Sequence, residues 1–285
     1  MDKISGKTLI FTDIHCGLAG NKTSRLNICI MVVKEMLKAV KDRGIENIVF
    51  AGDWFHNRNT LDLNTINVSL KLIQALSKKC RCYLVVGNHD AYLKNSTDIN
   101  SLNIFRNTHN VTVLDGPAEI EINGQRCLLV PWLTDLTKYQ PETFDLAIGH
   151  FEVSSKYLIQ SYVEEHSGKS AADASTSSEI DKDGLLSDGS SSKSGSLIGS
   201  FVDLVKRDGY IYAGHIHTHK EFKARGRNFI FVGSPYEQNL GDIGNERGFY
   251  VLDEKNTPEF IKITTVPKHV QVRMSDAVSG SYDFS

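Results

Sequence analysis

The chain has 285 residues, of which 40% are hydrophobic and 23% charged, and its formal net charge is −2. That length suits one large α/β domain with at most a small appendage, and the composition is ordinary for a water-soluble globular protein. A global positive field is excluded, so any contact with nucleic acid must come from a local basic patch or from bound cations.

The first residues offer no apolar leader, and no apolar run approaches the roughly 18 residues that a membrane span requires. Residues 9–11 read as a buried strand. From 25 to 43, Ile28, Met31, Val32, Met36, Leu37 and Val40 recur at helical spacing, and the pattern stops at Gly44. Residues 47–51 give a second strand. A second helix over 63–79 has Leu70, Leu72, Ile73 and Leu76 as its apolar face, and 83–86 gives a third strand. This βαβαβ order predicts a largely parallel sheet covered by helices. Beyond it the chain is β-rich. Strands are predicted at 111–114, 119–122, 127–130, 146–148, 210–213, 229–232 and 248–252. Asn123-Gly124 makes a hairpin turn, a second hairpin carries Lys220 to Arg227, and one helix lies near 200–207. Two sheets packed face to face between helices satisfy both halves.

The stretch 167–199 is one-third serine and has too little apolar surface to order itself, so it reads as a flexible surface insertion. Five cysteines, an odd and sparse set, fit free and mostly buried thiols in a reducing compartment. Cys80 and Cys82 read as core or surface cysteines rather than a metal clip, because Cys82 opens the apolar run 82–86. The expected location is cytoplasmic, in the host cytoplasm if the chain is phage-encoded.

The polar residues that end the strands carry the chemistry. In chain order they are Asp13-Ile14-His15, Gly52-Asp53-Trp54-Phe55-His56, Gly87-Asn88-His89-Asp90, Gly149-His150 and Gly214-His215-Ile216-His217. Sites in open α/β sheets form beyond the carboxyl ends of the strands, so all five segments should converge on one edge. Mixed carboxylate, amide and imidazole ligands suit Mn²⁺, Fe²⁺ or Zn²⁺ better than Mg²⁺ or Ca²⁺. Seven such side chains are too many for one ion. They fill most of two coordination shells if one carboxylate bridges, and two ions about 3.5–4 Å apart clamp a phosphoryl group. Glycines before these ligands allow tight turns and close approach of the backbone.

This ordered set resembles the calcineurin-like metallophosphoesterase superfamily over roughly residues 7 to 253. The resemblance implies a two-sheet αββα sandwich with a dimetal site at the strand carboxyl ends. It implies that Asp53 bridges the ions, that Asp13, His15 and His217 complete one site, and that Asn88, His150 and His215 complete the other. His89 becomes the catalytic histidine beside the leaving group. Gly-Asp-x-Phe-His at 52–56 is similar to the double-strand-break repair nucleases of the SbcD type, not to the protein phosphatases. Val130-Pro131-Trp132-Leu133, Gly149-His150-Phe151-Glu152 and Gly233-Ser234-Pro235-Tyr236 point the same way. The stretch 241–249 is most similar to the phage recombination endonuclease subunits of that branch.

The branch implies a Mn²⁺-dependent DNA nuclease of repair or recombination, 3′-to-5′ on duplex and endonucleolytic on single strands, with Mg²⁺, Fe²⁺ or Zn²⁺ as other candidate metals. It also implies that His56 helps to place the DNA strand, that the chain forms a homodimer through helices such as 63–79, and that an SMC-like ATPase is its partner. The nuclease domain would span 1–255, with 256–285 the start of a capping segment or a C-terminal tail and 260–274 the candidate opening of the cap. Asp90 is expected to orient His89 or support its protonated form, the other reading being a turn-capping carboxylate. Arg58 and Lys94 follow the second and third motifs closely enough to meet a phosphate. Lys220, Lys223, Arg225 and Arg227 either hold the DNA backbone or form a solvated turn. The alternatives are a phosphodiesterase or phosphatase for small molecules or cyclic nucleotides with the same metals, and a binding scaffold that keeps the fold.

Overall fold

Strands buried on both faces show no polar alternation, which is why they read as unbroken apolar runs. The computed structural model, whose described residues are 1–151 and 198–270, stacks these runs into two sheets. One sheet has the order β13 (Pro258–Lys262), β12 (Gly248–Leu252), β2 (Lys7–Phe11), β3 (Ile45–Phe50), β4 (Arg81–Val85), β5 (Val111–Leu114). Its strands β2 to β5 are parallel, and β12 and β13 are antiparallel additions. The other has the order β1 (Asp2–Ile4), β6 (Ala118–Ile122), β7 (Gln125–Val130), β8 (Phe144–Gly149), β9 (Val205–Ala213), β11 (Arg227–Phe231), β10 (Lys220–Ala224). There β7, β8, β9 and β11 run parallel.

Side-chain alternation assigns the layers. Leu9 and Phe11 pack outward against α1 (Thr23–Arg43) and α2 (Leu63–Ser77), through Leu26, Val32, Met36, Ile73 and Leu76. Ile10 between them turns inward. With Val49, Tyr83 and Val85 it meets Ile120, Leu129, Ile148 and Tyr212 of the second sheet. Leu128, Ala147, Ile211 and Phe229 face the far side, against Phe201 and Leu204 of α3 (Ile198–Leu204). The result is the expected αββα sandwich. Each large apolar side chain fully buried there contributes about 1.5–3 kcal/mol.

Local signals set the connections. Gly44 ends α1 in the left-handed conformation (φ 67°) and returns its N–H to Val40. Asp62 caps α2, its carboxylate accepting from the Thr65 N–H at 2.8 Å. Asn123 (φ 49°) and Gly124 (φ 83°) join β6 to β7.

The structure departs from the sequence reading at three places. The helix expected over 200–207 stops at Leu204, because Val205 already pairs with Phe144 and the ladder overrides local helical preference. Asp2–Ile4, too short for any periodicity, joins β6 in parallel. Pro258–Lys262 pairs antiparallel with β12, so the first part of 256–285 adds an edge strand to the sheet, where a proline is tolerated. Of the stretch 167–199, only the two residues that open α3 are described, and 271–285 also lies outside the described residues. All five cysteines are buried and free. Among the described residues no helix is long and apolar enough to cross a membrane.

Candidate metal centre

The loops that leave β2, β3, β4, β8 and β9 meet at one edge of the sandwich. Backbone hydrogen bonds lace the first two together, from Asp13 N to Gly52 O (2.9 Å), His15 N to Asp53 O (3.1 Å) and Cys16 N to Trp54 O (2.7 Å). The turns are tight enough that Asp13, His15, Asp53 and His215 all have positive φ (53°, 45°, 64° and 78°). Such conformations are costly outside glycine and cluster at functional sites. Two glycines are required by space as well. A Cβ on Gly52 would meet the His150 ring at 2.4 Å, and one on Gly87 would meet the Asp53 carboxylate at 2.2 Å.

The seven expected ligands converge, and all but His215 and His217 are buried. Asp13 Oδ1 lies 3.6 Å from His15 Nε2 and 3.5 Å from His217 Nε2, with the two imidazole nitrogens 3.2 Å apart. Asp53 Oδ2 lies 3.6 Å from His15 Nε2 and 3.4 Å from His150 Nε2, so one oxygen faces both histidines. Asn88 Oδ1 lies 2.7 Å from His150 Nε2, 3.0 Å from His215 Nδ1 and 3.1 Å from Asp53 Oδ2. Asp13, His15 and His217 together, and Asp13, Asp53 and His150 together, could each hold a metal ion.

Two features test the fit of cations to these residues. Asp13 Oδ1 is buried and accepts no hydrogen bond. The Asn88 amide oxygen is turned toward other acceptors. Rotating the amide would let its nitrogen donate to those atoms and its oxygen accept from Arg58 Nη2 at 3.1 Å. Without a cation the rotated form is better hydrogen-bonded. A cation among the three ligand atoms reverses that preference, since it needs the oxygen. The donor set therefore fits divalent metal.

The protonation pattern agrees. Burial opposes ionisation of Asp13, yet the neighbouring His15 and His217 imidazoles hold its carboxyl well below the usual range. Burial likewise opposes Asp53, and His150 overcomes it, lowering that carboxyl too. Burial works against the His150 imidazolium, but the Asp53 carboxylate raises it to about 9. His217 is raised against its burial by Asp13. His215, largely desolvated though not fully buried and beside charged His150, falls to about 4. Protons thus supply the counter-charge that cations would supply on binding.

His89 and His56 stand beside the ligands, with rings stacked at 5.3 Å and the His15 ring 4.8 Å from His89. His89 Nδ1 donates to the His56 carbonyl at 2.6 Å, which leaves Nε2 free to exchange a proton. Burial, then His15 and His89, lower His56 to about 4. Asp90 does not take the place expected of it beside the His89 ring. Its carboxylate accepts from the N–H groups of Asp53 (2.8 Å), Trp54 (3.0 Å), Phe55 (3.1 Å) and Gly87 (3.0 Å), and so shapes the second motif loop instead. Short-range backbone donors outcompete a neighbouring side chain on the same turn.

Arg58 stands against the Asn88 amide, and its Nη1 is buried without a hydrogen-bond partner. In the hairpin, Lys223, Arg225 and Arg227 pair with Asp208, Asp203 and Glu142. The sequence reading used 233–236 and 241–249, in and just beyond the loop after β11, as marks of resemblance and gave them no role at the centre. There Gln238 donates to the Asp13 carbonyl (2.6 Å), and buried Arg247 donates to the His217 carbonyl while pairing with Asp242 (3.0 Å). Paired buried charges separated by four residues in a loop without periodicity leave no mark in sequence. Trp132 had been noted as a motif residue without a role. Its ring centroid lies 5.2 Å from that of His215.

Comparison with known proteins adds the following. The family profile described as calcineurin-like phosphoesterase matches residues 6–219. Exonuclease subunit 1 of Enterobacteria phage T4 is 25% identical over 268 residues, which are 91% of this chain and 68% of that protein. A protein named as a phosphoesterase in Invertebrate iridescent virus 3 is 26% identical over 104 residues, covering 35% of this chain and 30% of the viral protein. A solved archaeal phosphodiesterase superposes with a TM-score of 0.41 at 12% identity, over 90% of this chain and 99% of that one, a likeness too loose to bear on function.

Proposed function

The chain belongs to the calcineurin-like phosphoesterase family, and on that premise we propose that it is a two-metal DNA nuclease that prefers Mn²⁺. The observation that carries the metal half is the convergence of Asp53 Oδ2, His150 Nε2 and His215 Nδ1 on the buried Asn88 oxygen, at 2.7–3.1 Å, a set of ligand atoms that one cation would join. The DNA half rests on the likeness to the T4 exonuclease subunit across most of this chain.

In this reading Asp13, His15 and His217 hold one ion, Asn88, His150 and His215 the other, and the Asp53 carboxylate serves both. Bound there, the ions supply an activated water and neutralise charge on the phosphodiester oxygens. His89 gives a proton from Nε2 to the departing sugar oxygen, help worth about 10²–10⁴-fold. Its ring is held for that by the Nδ1 bond to the His56 carbonyl. His56, its pKa lowered to about 4, is neutral at working pH and offers a hydrogen bond rather than a charge to the strand. Asp90 acts at one remove, by fixing the loop that carries Asp53. Arg58, with a buried unpartnered Nη1, is the local cation for a substrate phosphate. The word subunit in the relative's name supports a partner for this chain, in line with the SMC-like ATPase and the homodimer expected from the sequence.

The test is incubation of end-labelled duplex and single-stranded DNA with Mn²⁺, Mg²⁺ or EDTA, beside a His89→Ala control. Mn²⁺-dependent cleavage that disappears in the variant is the expected result. Intact DNA alongside hydrolysis of bis-p-nitrophenyl phosphate would move the substrate to small diesters.

A further inference from the structure

We infer that the turn 131–134 is a stacking platform for the nucleobase adjoining the scissile phosphate, with Trp132 as its face. The inference rests on the nuclease reading above and names the part of that substrate which the metals cannot recognise. The turn is fixed to the centre. Trp132 N donates to Val86 O at 2.9 Å, just ahead of Gly87 and Asn88, and Thr134 Oγ1 closes the turn onto Pro131 O at 2.7 Å.

Leu133 then adopts φ 61° and is 45% exposed. A bulky apolar residue in the left-handed region, neither buried nor relaxed, is a genuine backbone outlier, and such strain persists where the presented surface is used. Trp132 is partly exposed. It lies 5.2 Å from His215 at 39° and 6.0 Å from His150 at 67°, so a partly exposed aromatic residue sits at the rim of the centre.

The chemistry of the platform selects its ligand. A sugar-phosphate backbone calls for cations or hydrogen-bond donors, whereas Trp132 and Leu133 offer a flat apolar surface. A phosphodiester held at the ligands carries a nucleoside on each side, and a base is the planar apolar group within reach. Base–aromatic stacking needs no particular base, so the platform distinguishes nucleic acid from simple diesters without reading sequence. The competing role is a cover that merely shields His150 and His215 from water.

A double-mutant cycle separates the two. The full chain with Mn²⁺ is assayed as wild type, Trp132→Ala and Trp132→Phe. The substrates are an intact oligonucleotide and the same oligonucleotide with an abasic residue on either side of the scissile phosphate in turn. Stacking predicts that Trp132→Ala raises KM on intact DNA about 5- to 150-fold, the range for one lost stack. It also predicts that an abasic residue on one side costs wild type a similar factor, that the alanine variant loses little more on that substrate, and that Trp132→Phe recovers most of the loss. Equal losses on intact and abasic substrates, or a loss confined to kcat, would make Trp132 a cover and overturn the inference. Failure of wild type to cleave either substrate would instead remove the nuclease reading and this inference with it.

Discussion

The two ends of the candidate centre are secured by different physics. The end formed by Asp13, His15 and His217 leans on side chains. Gln238 holds the Asp13 carbonyl, and Arg247, paired with Asp242, holds the His217 carbonyl. The end formed by Asn88, His150 and His215 leans on the backbone. Asp90, two residues beyond Asn88, gathers the N–H groups of residues 53–55 of the shared loop and of Gly87, and His150 Nδ1 donates to the Ala51 carbonyl at 2.9 Å. A buried ion pair gives a rigid brace but leaves a buried charge when one partner is lost. A carboxylate over a ring of N–H groups spreads its work across several bonds, each modest. The difference teaches that the first end should fail through charge and the second through shape.

The largest effect should come from the group that both ends share. Asp53→Ala is expected to lower Mn²⁺-dependent cleavage on the order of 10²–10³-fold or more, the scale of one lost electrostatic stabiliser. Calorimetry should also show fewer than two ions bound. Two full-strength sites in that variant would refute a shared carboxylate. Next comes Arg247→Met, expected to destabilise the fold by about 3–5 kcal/mol in urea, because Asp242 is left buried and unpaired. Adding Asp242→Leu should restore most of that stability while Mn²⁺ affinity stays low, since His217 has lost its support. If affinity recovers as well, the brace is not specific to the centre.

At the other end, Asp90→Asn keeps one acceptor oxygen and should cost less than Asp90→Ala, which strands N–H groups at about 1–3 kcal/mol each. Equal loss in the two variants would point to charge instead of shape. The two ends also differ in how they hold protons. His150, raised to about 9, and His217, also raised, must be neutral to bind metal. Mn²⁺ binding should therefore release at least one proton near pH 7, and affinity should climb about tenfold per pH unit per proton until about pH 9. Binding heats that do not change with buffer ionisation enthalpy would contradict this. Smallest is Asp62→Ala, remote from both ends, which removes the cap of α2 and should cost about 1 kcal/mol with Mn²⁺ affinity unchanged. A loss of affinity there would show that the centre is coupled to the helix layer.

The sequence by itself determined the layer order and the residues that meet at the centre. Its central strands are apolar on both faces, and each candidate ligand follows its strand within a few positions, so Asp13, Asp53, Asn88, His150 and His215 could be placed by counting along the chain. Asn123-Gly124 and Gly44 were legible for the same reason, because a turn or a cap is decided by adjacent residues. Only the tertiary structure decided what those residues lean on. Gln238 meets Asp13 across 225 positions and Arg247 meets His217 across 30, from a loop with no repeating pattern to announce it. Asp90 chose the backbone of residues 53–55 over the His89 ring beside it, and Trp132 acquired a place only when β4 and β7 brought Val86 to it. Periodicity and adjacency are written into a sequence, whereas which buried polar group finds which distant partner is settled by packing.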